Sequence, residues 1–314
     1  MAEAKPAQPA KLEKLAKNLP QTYWSETEHY GLLGMPAKKS LSPLMHNANF
    51  EAMGMNAVYF PHDIDEETLS IVMPAFRQLQ YRGLNVTMPH KKAVIPYLDE
   101  ITELGRLCGA INTIRIDGGD GRMSGTNTDA TGFVHALKEQ GGYDPSGKRC
   151  ALFGAGGAGR GVSFGLADAG VERIALFDIA PSKPMLDQLV SELNAFKNGV
   201  AEGFVIEPDA PQTVAREVRA AGFVVNATSV GMTPNDNATV FDTSLLVPGQ
   251  MVCDIVYAPY RTKLLREAEE RGCKTLKGYW MLLWQGVDAF RFWTDKEPDV
   301  ATMEEVLVKA VTGA

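Results

Sequence analysis

The chain has 314 residues, 45% of them apolar and 22% charged, with a formal net charge of −7. That composition belongs to a folded globular protein, and its acidic balance argues against a nucleic-acid surface, which would cluster Lys and Arg. No apolar run reaches the ~18 residues that span a bilayer, and the four cysteines include no CxxC pair, so neither a zinc knuckle nor a redox motif is indicated.

In chain order, residues 1–25 are rich in Ala, Lys and Pro and lack the apolar core of a signal peptide. A mobile tail or a short surface helix around Lys11 to Lys17 is expected. Residues 30–34 read as a strand ended by Met35-Pro36. Residues 43–53 fit a helix, with Ser42 as its cap, Pro43 in its first turn and Gly54 at its end. Residues 57–60 form a second strand, 68–79 a second helix pattern with Pro74 against its continuity, and 83–87 a third strand. This alternation predicts βαβ units and a mostly parallel sheet.

After a turn-rich stretch, 141–147, the series resumes. Strands are predicted at 148–153, 173–177, 223–226 and 251–256, the last two apolar on successive residues as buried parallel strands should be. Helices are predicted at 160–169, closed by Gly170, and at 264–271, ended by Gly272. Between the first two of these strands, Gly154-Ala155-Gly156-Gly157-Ala158-Gly159 fits G-x-G-x-x-G in its proper strand–turn–helix setting. Asp178 ends the next strand, where a dinucleotide's ribose 2′-OH would lie. Gly154 permits the turn, Gly156 the approach of a pyrophosphate and Gly159 close helix–strand packing, with the helix N-terminus offering free N–H groups.

Polar side chains gather after the strands of the first half: Ser40 and Ser42, Thr87 with His90 and Lys91, Asn112 with Thr113, and Asn127-Thr128-Asp129. Ligands of open α/β sheets bind beyond the carboxyl ends of strands. Hydroxyls and amides with one Lys and one Asp suit a polyol, leaving an ionisable pair for proton transfer. The five histidines show no metal spacing, and no metal is expected.

Taken together, these motifs resemble those of the shikimate/quinate dehydrogenases. Ser40-Leu41-Ser42-Pro43-Leu44-Met45-His46-Asn47 is similar to the family's S-x-S-P-x-x-H-N element, and Asn85-Val86-Thr87-Met88-Pro89-His90-Lys91 to N-V-T-x-P-x-K. Gly109 to Thr113, Gly125 to Asp129, Asn226 to Ser229, Asp254 to Tyr257 and Met281 to Gly286 follow in the family's order, and the ending looks most like the quinate/shikimate branch. The resemblance implies an α/β protein of two domains with a catalytic cleft between them: an open α/β substrate domain over 26–129, a Rossmann-type NAD(P)-binding domain over 130–276, and a C-terminal helical segment, 277–314, returning to the first.

It implies further that Lys91 and Asp129 are the catalytic pair. Ser40, Ser42, Thr87, Asn112, Tyr257 and Gln285 would hold a small polyhydroxylated carboxylic acid. Gly154, Ala155, Gly156, Gly157, Ala158, Gly159, Asp178, Ser229, Ile255 and Gly278 would bind the cofactor. The expected activity is reversible reduction of 3-dehydroshikimate to shikimate, and of 3-dehydroquinate to quinate. The alternatives are a dehydrogenase for an amino- or deoxy-analogue, or a non-catalytic ligand sensor. A cytoplasmic monomer or homodimer is expected, without membrane or nucleic-acid partners.

Two positions depart from the family. Its NADP users carry Asn-Arg-Thr or Asn-Arg-Ser where this chain has Asp178-Ile179-Ala180, which points to NAD as the preferred cofactor over NADP. Trp280 stands where the family has a small residue and is expected to bear on cofactor approach or substrate choice.

Overall fold

A computed structural model describes residues 26–207 and 211–313; the expected N-terminal tail lies outside the described residues. The first sheet contains β1 (Glu28–Gly34), β2 (Ala57–Asp63), β3 (Tyr81–Val86), β4 (Glu100–Ile101), β5 (Thr113–Ile116) and β6 (Met123–Thr126), in the spatial order β2-β1-β3-β5-β6-β4. β1 runs parallel to β2 and β3, but β5 is antiparallel to both β3 and β6. This sheet is therefore mostly parallel, as expected, but mixed: β4 is parallel to β6, and β5 alone is reversed. Asp117 to Arg122, with Gly121 at φ +72, is too short a connection for a crossover, so it joins β5 and β6 as an antiparallel hairpin.

Helix α1 (Ser42–Ala52) corrects one expectation: Leu41 is its N-cap, Ser42 its first helical residue, and no side chain caps it. The Ser42 hydroxyl is thus turned to other partners. Helix α2 (Leu69–Gln78) runs through Pro74. Its Leu69, Met73 and Phe76, at spacings of four and three, are buried in the first sheet's core. Burial at about 1.5–3 kcal/mol per large apolar side chain outweighs one missing backbone hydrogen bond. Helices α3 (Glu103–Cys108) and α4 (Thr128–His135) complete this half.

The second sheet, β7 (Arg149–Phe153), β8 (Arg173–Ile179), β9 (Ala201–Ile206), β10 (Phe223–Asn226), β11 (Met251–Asp254) and β12 (Lys274–Leu276), has the order β12-β11-β10-β7-β8-β9 with every pair parallel. Its helices are α5 (Gly157–Asp168), α6 (Lys183–Phe196), α7 (Pro211–Ala220) and α8 (Lys263–Glu270). Strand order reverses between β7 and β10, which opens a crevice at their carboxyl ends, the usual ligand position of such sheets.

Helices α9 (Gly278–Thr294) and α10 (Val300–Thr312) return to the first sheet. Phe290 and Trp293 pack among Tyr30, Phe50 and Tyr59, while Leu283, Val287, Met303 and Leu307 enclose Met45 of α1. The two halves meet where α5 lies against α4. Gly157, Gly161 and Gly165 recur every four residues along α5 and keep one face bare. A Cβ at Gly165 would lie 2.2 Å from the Ala130 carbonyl oxygen, and one at Gly161 would lie 3.0 Å from the Asp129 Cβ. This contact carries Asp129, in the first turn of α4, up to the start of α5. All four cysteines are free and buried.

Candidate active site

A cavity of about 280 Å³ opens between the halves. It is lined by Ser40, Ser42, Thr87, Lys91, Asn112, Asp129, Ile255, Tyr257, Gly278 and Gln285, together with Leu32, Pro36, Lys39, Asn85, Val86, Met281 and Leu282. Each residue arrives from a defined element end. Ser40 and Lys39 follow β1, Thr87 and Lys91 follow β3, and Asn112 precedes β5. Asp129 opens α4, Ile255 and Tyr257 follow β11, and Gly278 and Gln285 lie on α9.

The Lys91 ammonium donates to the Asp129 carboxylate at 2.6 Å. Both side chains are largely buried, at 15% and 10% exposure, so their attraction is screened far less than in a surface pair. Asp129 is held in turn by the Asn112 amide, which donates to its other oxygen at 2.9 Å. The Asn112 side-chain Oδ1 accepts the Thr128 backbone N–H at 2.6 Å. Asn127 caps α4 by accepting the N–H groups of Asp129 and Ala130, and a carboxylate in a helix's first turn is favoured by the helix dipole. Behind Asn112, the Asn85 amide donates to the Asn112 carbonyl and the Thr113 hydroxyl, and the Tyr59 hydroxyl donates to Asn85 at 2.8 Å. Asn85 belongs to a core strand, and only pairing β3 with β5 brings it here.

On the opposite wall, the Ser40 hydroxyl accepts the Ser42 N–H and donates to the Ser42 hydroxyl, both at 3.1 Å. Gly34 makes room for Thr87: a Cβ there would lie 2.2 Å from the Thr87 methyl. Asp254, at the end of β11, accepts from Asn226, Thr262 and the Val256 N–H, fixing the loop that carries Ile255 and Tyr257; burial pushes its carboxyl up to about 6. Burial also raises the Tyr257 phenol above its ordinary value. Gly278 is needed where α9 begins, since a Cβ would lie 2.4 Å from the Ile255 carbonyl oxygen.

The glycine loop adjoins this cavity. Gly154 sits at φ +105, a conformation open to glycine, and a Cβ on Gly159 would lie 1.9 Å from the Gly154 carbonyl oxygen. Gly156 is the N-cap of α5 with no side-chain cap, and beyond its Cβ position lies open space. The first N–H groups of α5 thus point into a cradle that suits a pyrophosphate. A Cβ on Gly157 would lie 3.9 Å from Lys91 Cδ, so the loop and the Lys91–Asp129 pair share one boundary.

The Asp178 carboxylate accepts the Ala155 N–H at 2.7 Å and the Ile179 N–H at 2.7 Å, which ties β8 to the glycine loop. Ile179 is exposed, and Lys183 pairs with Asp187 at 2.5 Å. Ser229 is exposed beyond β10, and Trp280 packs against core side chains; neither lines the cavity, so Trp280 does not act on it by direct contact. Among the described residues no His/Cys/Asp/Glu group could hold a metal.

Arg160, the residue after the glycine motif, does not face the phosphate cradle. Its guanidinium donates to the Cys108 carbonyl at the end of α3, pairs with Glu192 of α6, and is largely buried. Lys39, Asn85 and Arg160 are the residues that the motif reading did not single out. Asn85 opens the N-V-T-x-P-x-K element and Arg160 follows the glycine motif, but nothing in one dimension shows which way they turn.

Comparison with known proteins gives a consistent result. Residues 32–114 match the family model for the shikimate dehydrogenase substrate binding domain, and residues 278–308 that for the shikimate 5′-dehydrogenase C-terminal domain. The chain is 42% identical over 281 residues to shikimate dehydrogenase (NADP(+)) of Moorella thermoacetica, covering 89% of this chain and 92% of that protein. It is similar to a shikimate 5-dehydrogenase from Listeria monocytogenes solved in complex with shikimate and NAD, with a TM-score of 0.86, 36% identity and coverage of 92% and 99%. A quinate dehydrogenase from Corynebacterium glutamicum in complex with NAD gives a TM-score of 0.82, 35% identity and coverage of 90% and 99%.

Proposed function

The chain belongs to the shikimate dehydrogenase family, and from that premise we propose that it interconverts shikimate and 3-dehydroshikimate, and quinate and 3-dehydroquinate, with NAD(P). The observation that carries this reading is the Lys91–Asp129 pair, set 2.6 Å apart between a polar cavity and a glycine-lined phosphate cradle. In the same proposal, residues 26–129 and the returning segment 277–314 form the substrate domain, and 130–276 the nucleotide domain.

When bound, a nicotinamide would supply or accept the hydride. The chain's own work is orientation and proton transfer. In reduction, the Lys91 ammonium faces the ring ketone, stabilises the charge developing on its oxygen and donates the proton there; in oxidation Lys91 takes that proton back. Asp129 holds the ammonium in place, and Asn112 holds Asp129. Ser40 and Ser42 bind the substrate carboxylate, and Thr87, Asn112, Tyr257 and Gln285 its hydroxyls. Ile255 and Gly278 would lie near a bound nicotinamide. Asp178, with no cation at Ile179 or Ala180, supports a preference for NAD, although the Moorella relative is named for NADP(+). Four free buried cysteines support a reducing, cytoplasmic setting, and the enzyme works as a monomer or homodimer.

Initial rates with shikimate, quinate and an amino analogue, each with NAD and NADP, test the assignment directly. Lys91→Ala should lower kcat by about 10²–10⁴ while the fold and nucleotide binding survive. Near-normal turnover in a folded Lys91→Ala protein removes Lys91 from the mechanism.

A further inference from the structure

Three charged side chains line the cavity: Lys39, Lys91 and Asp129. Two of them neutralise each other, because Lys91 and Asp129 form the 2.6 Å ion pair. The cavity is left with one uncompensated charge, the ammonium of Lys39. Its neighbour Lys38 is committed elsewhere, to Asp63 at 3.1 Å, whereas Lys39 has no ion-pair partner among the described residues. Lys39 is exposed and adjoins Ser40, whose hydroxyl is linked to that of Ser42. A cation beside two hydroxyls is a recognition set for a carboxylate. It stands out on a chain of net charge −7, whose overall field repels an acid.

We propose that Lys39 is a specificity-determining residue: its ammonium draws the substrate's carboxylate to the Ser40–Ser42 end of the cavity and pairs with it there, so that the site selects ring acids over their uncharged analogues. This rests on the functional reading above and adds to it a residue that the motif comparison left without a role. The division of labour follows from position. Ser40 and Ser42 are tied to the start of α1 and give direction, whereas Lys39 swings on a long exposed stem and gives charge. An exposed ion pair of this kind is worth little in energy, which converts to on the order of two- to fivefold in affinity, and it is screened by salt.

The test is calorimetric titration of the full chain, wild type and Lys39→Gln, with shikimate and with its carboxamide, at about 20 and 500 mM salt, with steady-state kinetics alongside. The expected result is that Lys39→Gln weakens shikimate binding on the order of two- to fivefold at low salt and removes most of its salt dependence. Carboxamide binding is expected to stay unchanged, kcat to fall less than KM rises, Lys39→Arg to restore binding, and Lys38→Gln to match the wild type. Unchanged shikimate affinity in Lys39→Gln, or an equal loss for the carboxamide, overturns the proposal. A wild type that binds shikimate through Lys39 but does not turn it over leaves this inference standing and removes the functional reading; a wild type that binds no ring acid removes both.

Discussion

Cofactor choice can be worked out from the end of β8. The two Asp178 carboxylate oxygens each accept one backbone N–H, from Ala155 and from Ile179, both at 2.7 Å, so the charge is pinned beside the glycine loop. Each oxygen keeps a lone pair for a ribose hydroxyl. A 2′-phosphate of about two negative charges at roughly 5 Å in near-aqueous surroundings would be repelled by about 1–2 kcal/mol. The missing cation costs about another 1.5–3 kcal/mol relative to a site with an Arg contact. Lys183 does not replace it while paired with Asp187 one helical turn on. The sum, about 2.5–5 kcal/mol, predicts a preference for NAD of about two to four orders of magnitude. The assay is kcat/KM for NAD and NADP with shikimate at fixed ionic strength. Ile179→Arg, at an exposed position, should narrow the ratio by roughly tenfold. Adding Asp178→Asn should move it further toward NADP but lower kcat/KM for both cofactors, because an amide offers only one acceptor to the two N–H donors that the carboxylate now satisfies. A wild type that prefers NADP by tenfold, or a ratio that Ile179→Arg leaves unmoved, would refute the reasoning.

Two further outcomes follow from packing and burial. In Gly132→Ala the new methyl would sit 2.5 Å from the Gln285 backbone nitrogen, so overpacking should cost about 1–3 kcal/mol, lowering Tm by several degrees and raising KM as Gln285 shifts; an unchanged Tm would show that α9 yields freely. His46 is fully buried with no hydrogen-bond partner for either ring nitrogen among the described residues, and burial depresses it from 6.5 to about 3. Its folded value lies below its unfolded one, so the stability it contributes is whole above pH 6.5 and is lost as pH falls toward 3. Urea unfolding at pH 6.5 and 4.5 should show a drop about 2 kcal/mol smaller in His46→Leu than in wild type, and equal drops would mean that His46 is protonated in the folded state.

The elements that the sequence alone determined are those in which local chemistry repeats the global requirement. Strands β7, β8, β10 and β11 are covered by helices on both faces, so each carries an apolar run of three or more residues, with polar residues only at its ends, and the glycine motif announces its turn because Gly154 needs a positive φ and Gly159 a missing Cβ. Strands β4, β5 and β6 went unread because two to four residues, such as Met123-Ser124-Gly125-Thr126, are too few to show a period, and β9, an edge strand with Glu202 exposed, does not need an apolar run. The resemblance of short motifs to those of the family pointed to Lys91, Asp129, Asn112 and the serines. Only the tertiary structure decided that Ser42 opens its helix rather than capping it, that Asn85 reaches the cavity through β3–β5 pairing, that Arg160 turns to Cys108 and Glu192 instead of the phosphate cradle, and that Lys39 is the charge left uncompensated. Those outcomes depend on which side chains partner across distances of tens of residues, and the direction of a single side chain leaves no periodic trace in the sequence.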